Sequence, residues 1–146
     1  MGNATQLSEN GVQEPRAGLE ARLGRVTQQL ASLNRELAGQ MVLLADQTGD
    51  TRPLLGAVQA LRRVKDSYSR DHAPRETAEV NAELADALFA LGRSNDDVEA
   101  LEHSVEAYRA AITLSSLLGD EGWRRDLRRR HDTAEAALRA RAPIAA

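Results

Sequence analysis

The chain of 146 residues contains no cysteine. A disulfide scaffold, a cysteine-based zinc site and thiol catalysis are therefore excluded. Aromatic residues make up only 3%. Strands draw on aromatic and β-branched side chains, so this scarcity, with alanine the commonest residue, points to helices. No apolar run approaches the roughly 20 residues that cross a bilayer, and the N-terminus lacks a charged-then-apolar leader pattern. A net charge of -3 gives no global attraction to nucleic acid or anionic lipid. What is present is 28% charged and 42% hydrophobic residues, in a length typical of one domain. The expectation is a soluble, cytoplasmic, all-α protein with no membrane partner.

Met1 to Pro15 is polar and without periodicity, and reads as a flexible arm. Gly2 suggests myristoylation, but Gln6 stands where that signal carries Ser or Thr. The sequon Asn3-Ala4-Thr5 has no weight without a secretory leader. One domain is expected over residues 16–142, followed by a tail at 143–146.

Within it, hydrophobic patterning predicts five helices. From Ala17 to Gln47 the residues Leu19, Leu23, Val26, Leu30, Leu33, Leu37 and Leu44 recur at alternating spacings of four and three, with one lapse at Gln40. No proline interrupts this long first helix, roughly 45 Å at about 1.5 Å per residue. Thr51 is the expected cap of a second helix, with Pro53 in its first turn and Leu54, Leu55, Val58, Leu61, Val64 and Tyr68 as its apolar stripe. A third runs from Arg75 to Gly92, a stop that tolerates positive φ, and buries Val80, Leu84, Ala87, Leu88 and Leu91. Asp96 and Glu99 resemble a capping box opening a fourth helix through Leu101, Val105, Tyr108, Ile112 and Leu117 to Gly119. Asp120 caps a fifth, from Glu121 to Arg141, and Pro143 limits its extension.

Sliding the chain by 47 residues lays Asn34–Arg62 over Asn81–Arg109 with ten identities in 29 positions and no gap. Chance would give about two, so a helix–turn–helix unit is repeated. A second shift, fainter, keeps Ala87/Ala134, Ala90/Ala137 and Leu91/Leu138, for about two and a half units. Such a pair cannot shelter its apolar face alone and stacks on its neighbours. Small residues such as Ala38, Ala85 and Ala134 allow close approach, and Leu37, Leu84, Tyr108 and Ile112 fill the space between.

The runs Asn81–Gly92 and Leu101–Ile112 resemble tetratricopeptide repeats, in particular the long-helix variety found in many bacterial proteins. Leu84 and Ala85 stand at that motif's Leu-Gly pair, Leu88 at its first aromatic, Ser104 at its small residue, Tyr108 at its second aromatic and Ala111 at its second alanine. The period exceeds the common 34-residue unit and no proline closes the second helix, which leaves HEAT-like and other helical hairpins open. The resemblance implies a right-handed stack of antiparallel helix pairs whose first helices line a concave groove. Carried over, that face presents Ser32, Arg35 and Val42, then Glu79, Ala82, Asp86 and Phe89, then Arg129 and Thr133. Arg35, Val42, Glu79, Asp86, Phe89 and Arg129 are the expected contacts for a peptide or partner helix.

Catalysis finds no support. His72, His103 and His131 are dispersed, and the pairs Glu99/His103 and His131/Glu135 offer two metal ligands each, which is not a site. There is no glycine-rich phosphate loop and no Gly-x-Ser-x-Gly elbow. Neither metal nor cofactor is expected. Between Arg124 and Arg141 lie seven arginines against Asp126, Asp132 and Glu135. Arg124, Arg125, Arg128, Arg129 and Arg130 form an alternative anion or nucleic-acid surface. A solvated, ion-paired terminal helix is the preferred account, with nucleic acid not the expected partner and Trp123 a core or cap anchor. Finally, Leu19, Leu23, Val26 and Leu30 precede the repeat and lack partners within it. Such a stripe either folds back or pairs with the same helix of another copy, and homodimerisation is the favoured expectation.

Overall fold

The computed structural model describes residues 2–68 and 73–141, with side chains from residue 16 onward. The side chains of the expected arm, the tail at 143–146 and His72 lie outside the described residues. Five helices account for nearly all of the rest, without a strand among the described residues: α1 (Gly2–Thr48), α2 (Arg52–Ser67), α3 (Pro74–Asn95), α4 (Val98–Leu118) and α5 (Glu121–Arg141). Each packs on the next in the chain, and α3 also touches α5. None is long and apolar enough to cross a membrane, among the described residues.

The core forms where apolar stripes meet. Leu54, Val58 and Leu61 of α2 pack with Leu84, Leu88 and Leu91 of α3 and with Ala38 and Ala45 of α1. A second cluster joins Ala85 of α3, Val105 and Tyr108 of α4, and Leu127 and Ala134 of α5, with Trp123 packed against it. The 47-residue equivalences hold in burial: Ala31/Ala78, Ala38/Ala85, Leu54/Leu101, Val58/Val105, Leu61/Tyr108 and Val64/Ala111 are buried in both copies. They hold in the turn as well. Gly49 and its equivalent Asp96 both adopt positive φ, 74° and 51°. Asp50 and its equivalent Asp97 both offer Oδ1 to a backbone N–H at the start of the next helix, from Arg52 at 3.0 Å and from Ala100 at 3.2 Å.

Several expectations need correction. Thr51 does not cap α2, since its side chain makes no cap hydrogen bond and Asp50 accepts instead. The cap of α4 is Asp97, one residue later than the expected Asp96. Gly92 does not stop α3, which continues to Asn95 and ends on Asp96 in the left-handed region. Gly92 is glycine for another reason: a Cβ there would lie 2.7 Å from Leu101 Cγ, so it lets α4 approach α3. Leu55 and Leu117, expected in the core, are exposed. So is Leu37, whose equivalent Leu84 is buried, because among the described residues no helix packs against that side of α1. The other end of the array is different: Asp120 caps α5 through the N–H of Trp123, and no large hydrophobic residue of α5 is exposed among the described residues.

Candidate functional site

The first helices of successive pairs, α1, α3 and α5, are tied side by side through ion pairs. Arg35 of α1 donates to Glu83 at 2.5 Å and to Glu79, 44 residues away, at 3.2 Å, both on α3. Arg130 of α5 donates to Asp86 of α3, again 44 residues away, at 3.0 Å. Near the helix ends Arg141 reaches Asp96 at 2.8 Å. Two carboxylates one turn apart on α3 repel each other, and the guanidinium between them removes that penalty. The same contacts, Glu83 first, hold Arg35 still further above the usual arginine range. Burial raises the Asp86 carboxyl above the ordinary range too, which for an acid favours the neutral form, although Tyr108 and Arg130 hydrogen-bond to it. Burial, followed by that carboxylate, raises the Tyr108 hydroxyl as well, so it stays a proton donor.

Three hollows run along this face. One of about 530 Å³ lies between α1 and α3 near their C-terminal ends, with Val42, Leu43 and Ala90 in its walls and Asp46 and Arg93 among its polar residues. A second, about 260 Å³, shares Gly39 and Val42 with it and extends to Arg35, Glu83 and Asp86. The third, about 300 Å³, lies between α3 and α5 and is lined by Asp86, Phe89, Tyr108, Arg129, Arg130 and Thr133. Arg93 stands over the Phe89 ring at 5.3 Å, an arrangement that keeps ring and cation in a fixed relation.

Of the residues expected to face a partner, Arg35, Val42, Asp86, Phe89 and Arg129 thus line these hollows, and Glu79 joins them through Arg35. Ala82 does not: it is buried in the cluster that includes Leu127 and Ala134 of α5. Sequence reasoning missed Glu83, Asp46 and Arg93. Glu83 was legible as the second carboxylate at helical spacing from Glu79. Asp46 and Arg93 are equivalent positions under the 47-residue shift and carry opposite charges, so no identity marks them.

The arginine-rich α5 is largely neutralised within the fold. Arg124 pairs with Glu121, Arg129 with Asp126, Arg130 with Asp86 and Asp126, and Arg139 with Glu135. Only Arg125 and Arg128 carry no ion pair among the described arginines of this helix. His131, Asp132 and Glu135 place one ligand atom each within 4.8 Å of one another. The sequence reading paired His131 with Glu135 and passed over Asp132. Arg139 donates to Glu135 at 3.1 Å, supplying the positive charge that carboxylate would otherwise seek in a metal. Leu19, Leu23, Val26 and Leu30 are exposed along α1.

Comparison of the chain with protein-family models, with curated proteins and with solved structures finds no match.

Proposed function

We propose that the chain is a non-catalytic interaction module of tetratricopeptide-like type. It binds an extended peptide of a partner protein along the face shared by α1, α3 and α5, and associates with itself through α1. The observation that carries the reading is the chain of hollows joined by Val42 and Asp86, with apolar walls and charged rims on the three first helices. Each hollow is of a size to take a side chain or two.

The charges indicate the peptide. Glu79, Glu83 and Asp86 are occupied by Arg35 and Arg130, whereas Asp46 and Arg93 at the largest hollow have no ion pair among the described residues. A leucine- or phenylalanine-sized anchor seated against Val42, flanked by one basic and one acidic residue, satisfies both.

Selection from a random peptide library on the immobilised protein tests this. Enriched peptides are expected to share that pattern, and to bind Val42→Lys and Phe89→Ala at least about tenfold more weakly. Absence of enrichment, or peptides indifferent to both substitutions, would overturn the reading.

A further inference from the structure

The outward face of α1 carries an uninterrupted apolar seam. Leu19, Leu23, Val26, Leu30, Leu33 and Leu37 are each between 48 and 65% exposed. The side of α1 that packs on the body is a different one, made by Ala31, Ala38 and Ala45 at seven-residue intervals. At about 100° per residue the two stripes lie roughly 120° apart, so the seam stays open when the body is complete. The second helix pair shows what such a seam is for. The 47-residue equivalents of Leu33, Leu37 and Leu44 are Val80, Leu84 and Leu91, and all three are buried, with Val64, Leu54 and Leu61 of α2 in their clusters. On α1 no helix among the described residues takes the place of that preceding helix.

We propose that a second copy of this chain fills it, through an antiparallel pairing of the two α1 helices centred on residue 28. This rests on the self-association part of the reading above. The register follows from the sequence. Alternating steps of three and four continue outward from the seam to Arg16 and to Gln40, its two polar positions. In the antiparallel alignment Leu19 lies opposite Leu37, Leu23 opposite Leu33 and Val26 opposite Leu30 of the second copy. Arg16 then meets Gln40 at each end, donor against acceptor, so a polar layer flanks these six residues on both sides, with Leu44 beyond it. A parallel alignment sets Arg16 against Arg16, a like-charge layer within the seam.

The flanking charges select the same arrangement. Arg22, Gln29 and Glu36 each precede a seam residue and share one edge. Antiparallel pairing brings Arg22 of each copy to Glu36 of the other and Gln29 to Gln29, whereas parallel pairing sets Arg22 beside Thr27 and Glu36 beside Met41. Neither Arg22 nor Glu36 has an ion pair within its own chain, among the described residues. At roughly 100 Å² of exposed surface apiece, six seam residues from each of two chains withdraw about 1,200 Å², within the range of specific interfaces.

Sedimentation equilibrium with spin labelling tests the assignment. The full chain is expected at twice its 15.9 kDa, and Leu23→Glu with Leu30→Glu at the single mass with unchanged helicity of the body. Arg22→Glu and Glu36→Arg are each expected to weaken the dimer about tenfold, and the two combined to restore it. Because the chain has no cysteine, Ala17→Cys gives one label per copy. Antiparallel helices hold the two labels roughly 35 Å apart, parallel helices less than about 20 Å. A monomeric wild type overturns both the association and the register. A dimer with the short distance, or one in which the combined charge exchange fails to restore affinity, overturns the register alone. A dimer untouched by the paired leucine substitutions overturns the seam as the interface.

Discussion

Arg35 and Glu83 meet at 2.5 Å across α1 and α3, although 48 residues of chain separate them. Glu79 closes on the same guanidinium from the previous turn of α3, so one cation holds two anions and two helices. One pair further along, the charges are exchanged: α3 supplies Asp86 and α5 supplies Arg130. The acidic α3 is thus held on both sides by arginines of its neighbours.

Removing the cation should therefore cost more than a surface ion pair. Arg35→Ala leaves Glu79 and Glu83 repelling each other beside a half-buried gap, and is expected to lower stability by about 1–2 kcal/mol, or roughly 3–6 °C in melting temperature. Arg35→Lys recovers only part of this, since an ammonium cannot fork between two carboxylates. Thermal denaturation followed by circular dichroism reads both, and equal stability of wild type and Arg35→Ala would contradict the role.

Gly92→Ala should be damaging in spite of its helical position. The added methyl meets Leu101 at 2.7 Å and the Asp97 carbonyl oxygen at 3.0 Å, which forces α4 away from α3 at an expected cost of about 1–3 kcal/mol. Gly24→Ala is the matching control. Its Cβ enters open space, so the helix gains about 0.5–1 kcal/mol locally. Chemical denaturation of the two variants is expected to give shifts of opposite sign.

The raised carboxyl of Asp86 gives a pH dependence with a definite sign. A carboxyl whose native value lies above its unfolded value binds more protons in the folded state, so stability falls as pH rises through that interval. Asp86→Asn keeps an oxygen acceptor for the Tyr108 hydroxyl and cannot ionise. It is expected to abolish that fall and to melt no lower than wild type at pH 7. Melting curves from pH 3 to pH 8 decide the matter, and a steeper fall in the variant would refute the assignment.

The two turns make a paired test of capping. Asp97→Ala removes an acceptor from the Ala100 N–H and should cost about 1 kcal/mol. Thr51→Ala removes no cap bond and is expected to stay within about 0.3 kcal/mol of wild type by urea titration.

The helices and their order were legible because periodicity and turn chemistry agree along the chain. Gly119 ends α4 at φ 73° and α5 runs from Glu121 to Arg141 as read. The cores of α2 and α3 were legible too, since stripes such as Val58–Leu61 and Leu84–Leu88 have neighbours on both sides. Leu37 and Leu55 were not, because a stripe states that a side chain is apolar and not whether a helix lies opposite it. The caps at Asp50 and Asp97 were missed by one residue each, as runs such as Gly-Asp-Thr and Asp-Asp offer adjacent acceptors that only backbone geometry separates. In the candidate site, Arg35, Val42 and Phe89 were expected from the resemblance to tetratricopeptide repeats. The partners of Arg35 and Asp86 are long-range contacts that no local pattern encodes.

The charged outer side of α5 has a bearing on assembly size. Arg124, Arg129 and Arg139 are paired with Glu121, Asp126 and Glu135 on the same helix, and among the described residues α5 turns no bulky oily side chain outward for a further helix to dock on. In the pairing proposed above, the joint runs end to like end and uses up the apolar seam of both copies, so association would stop at two and not run on into filaments.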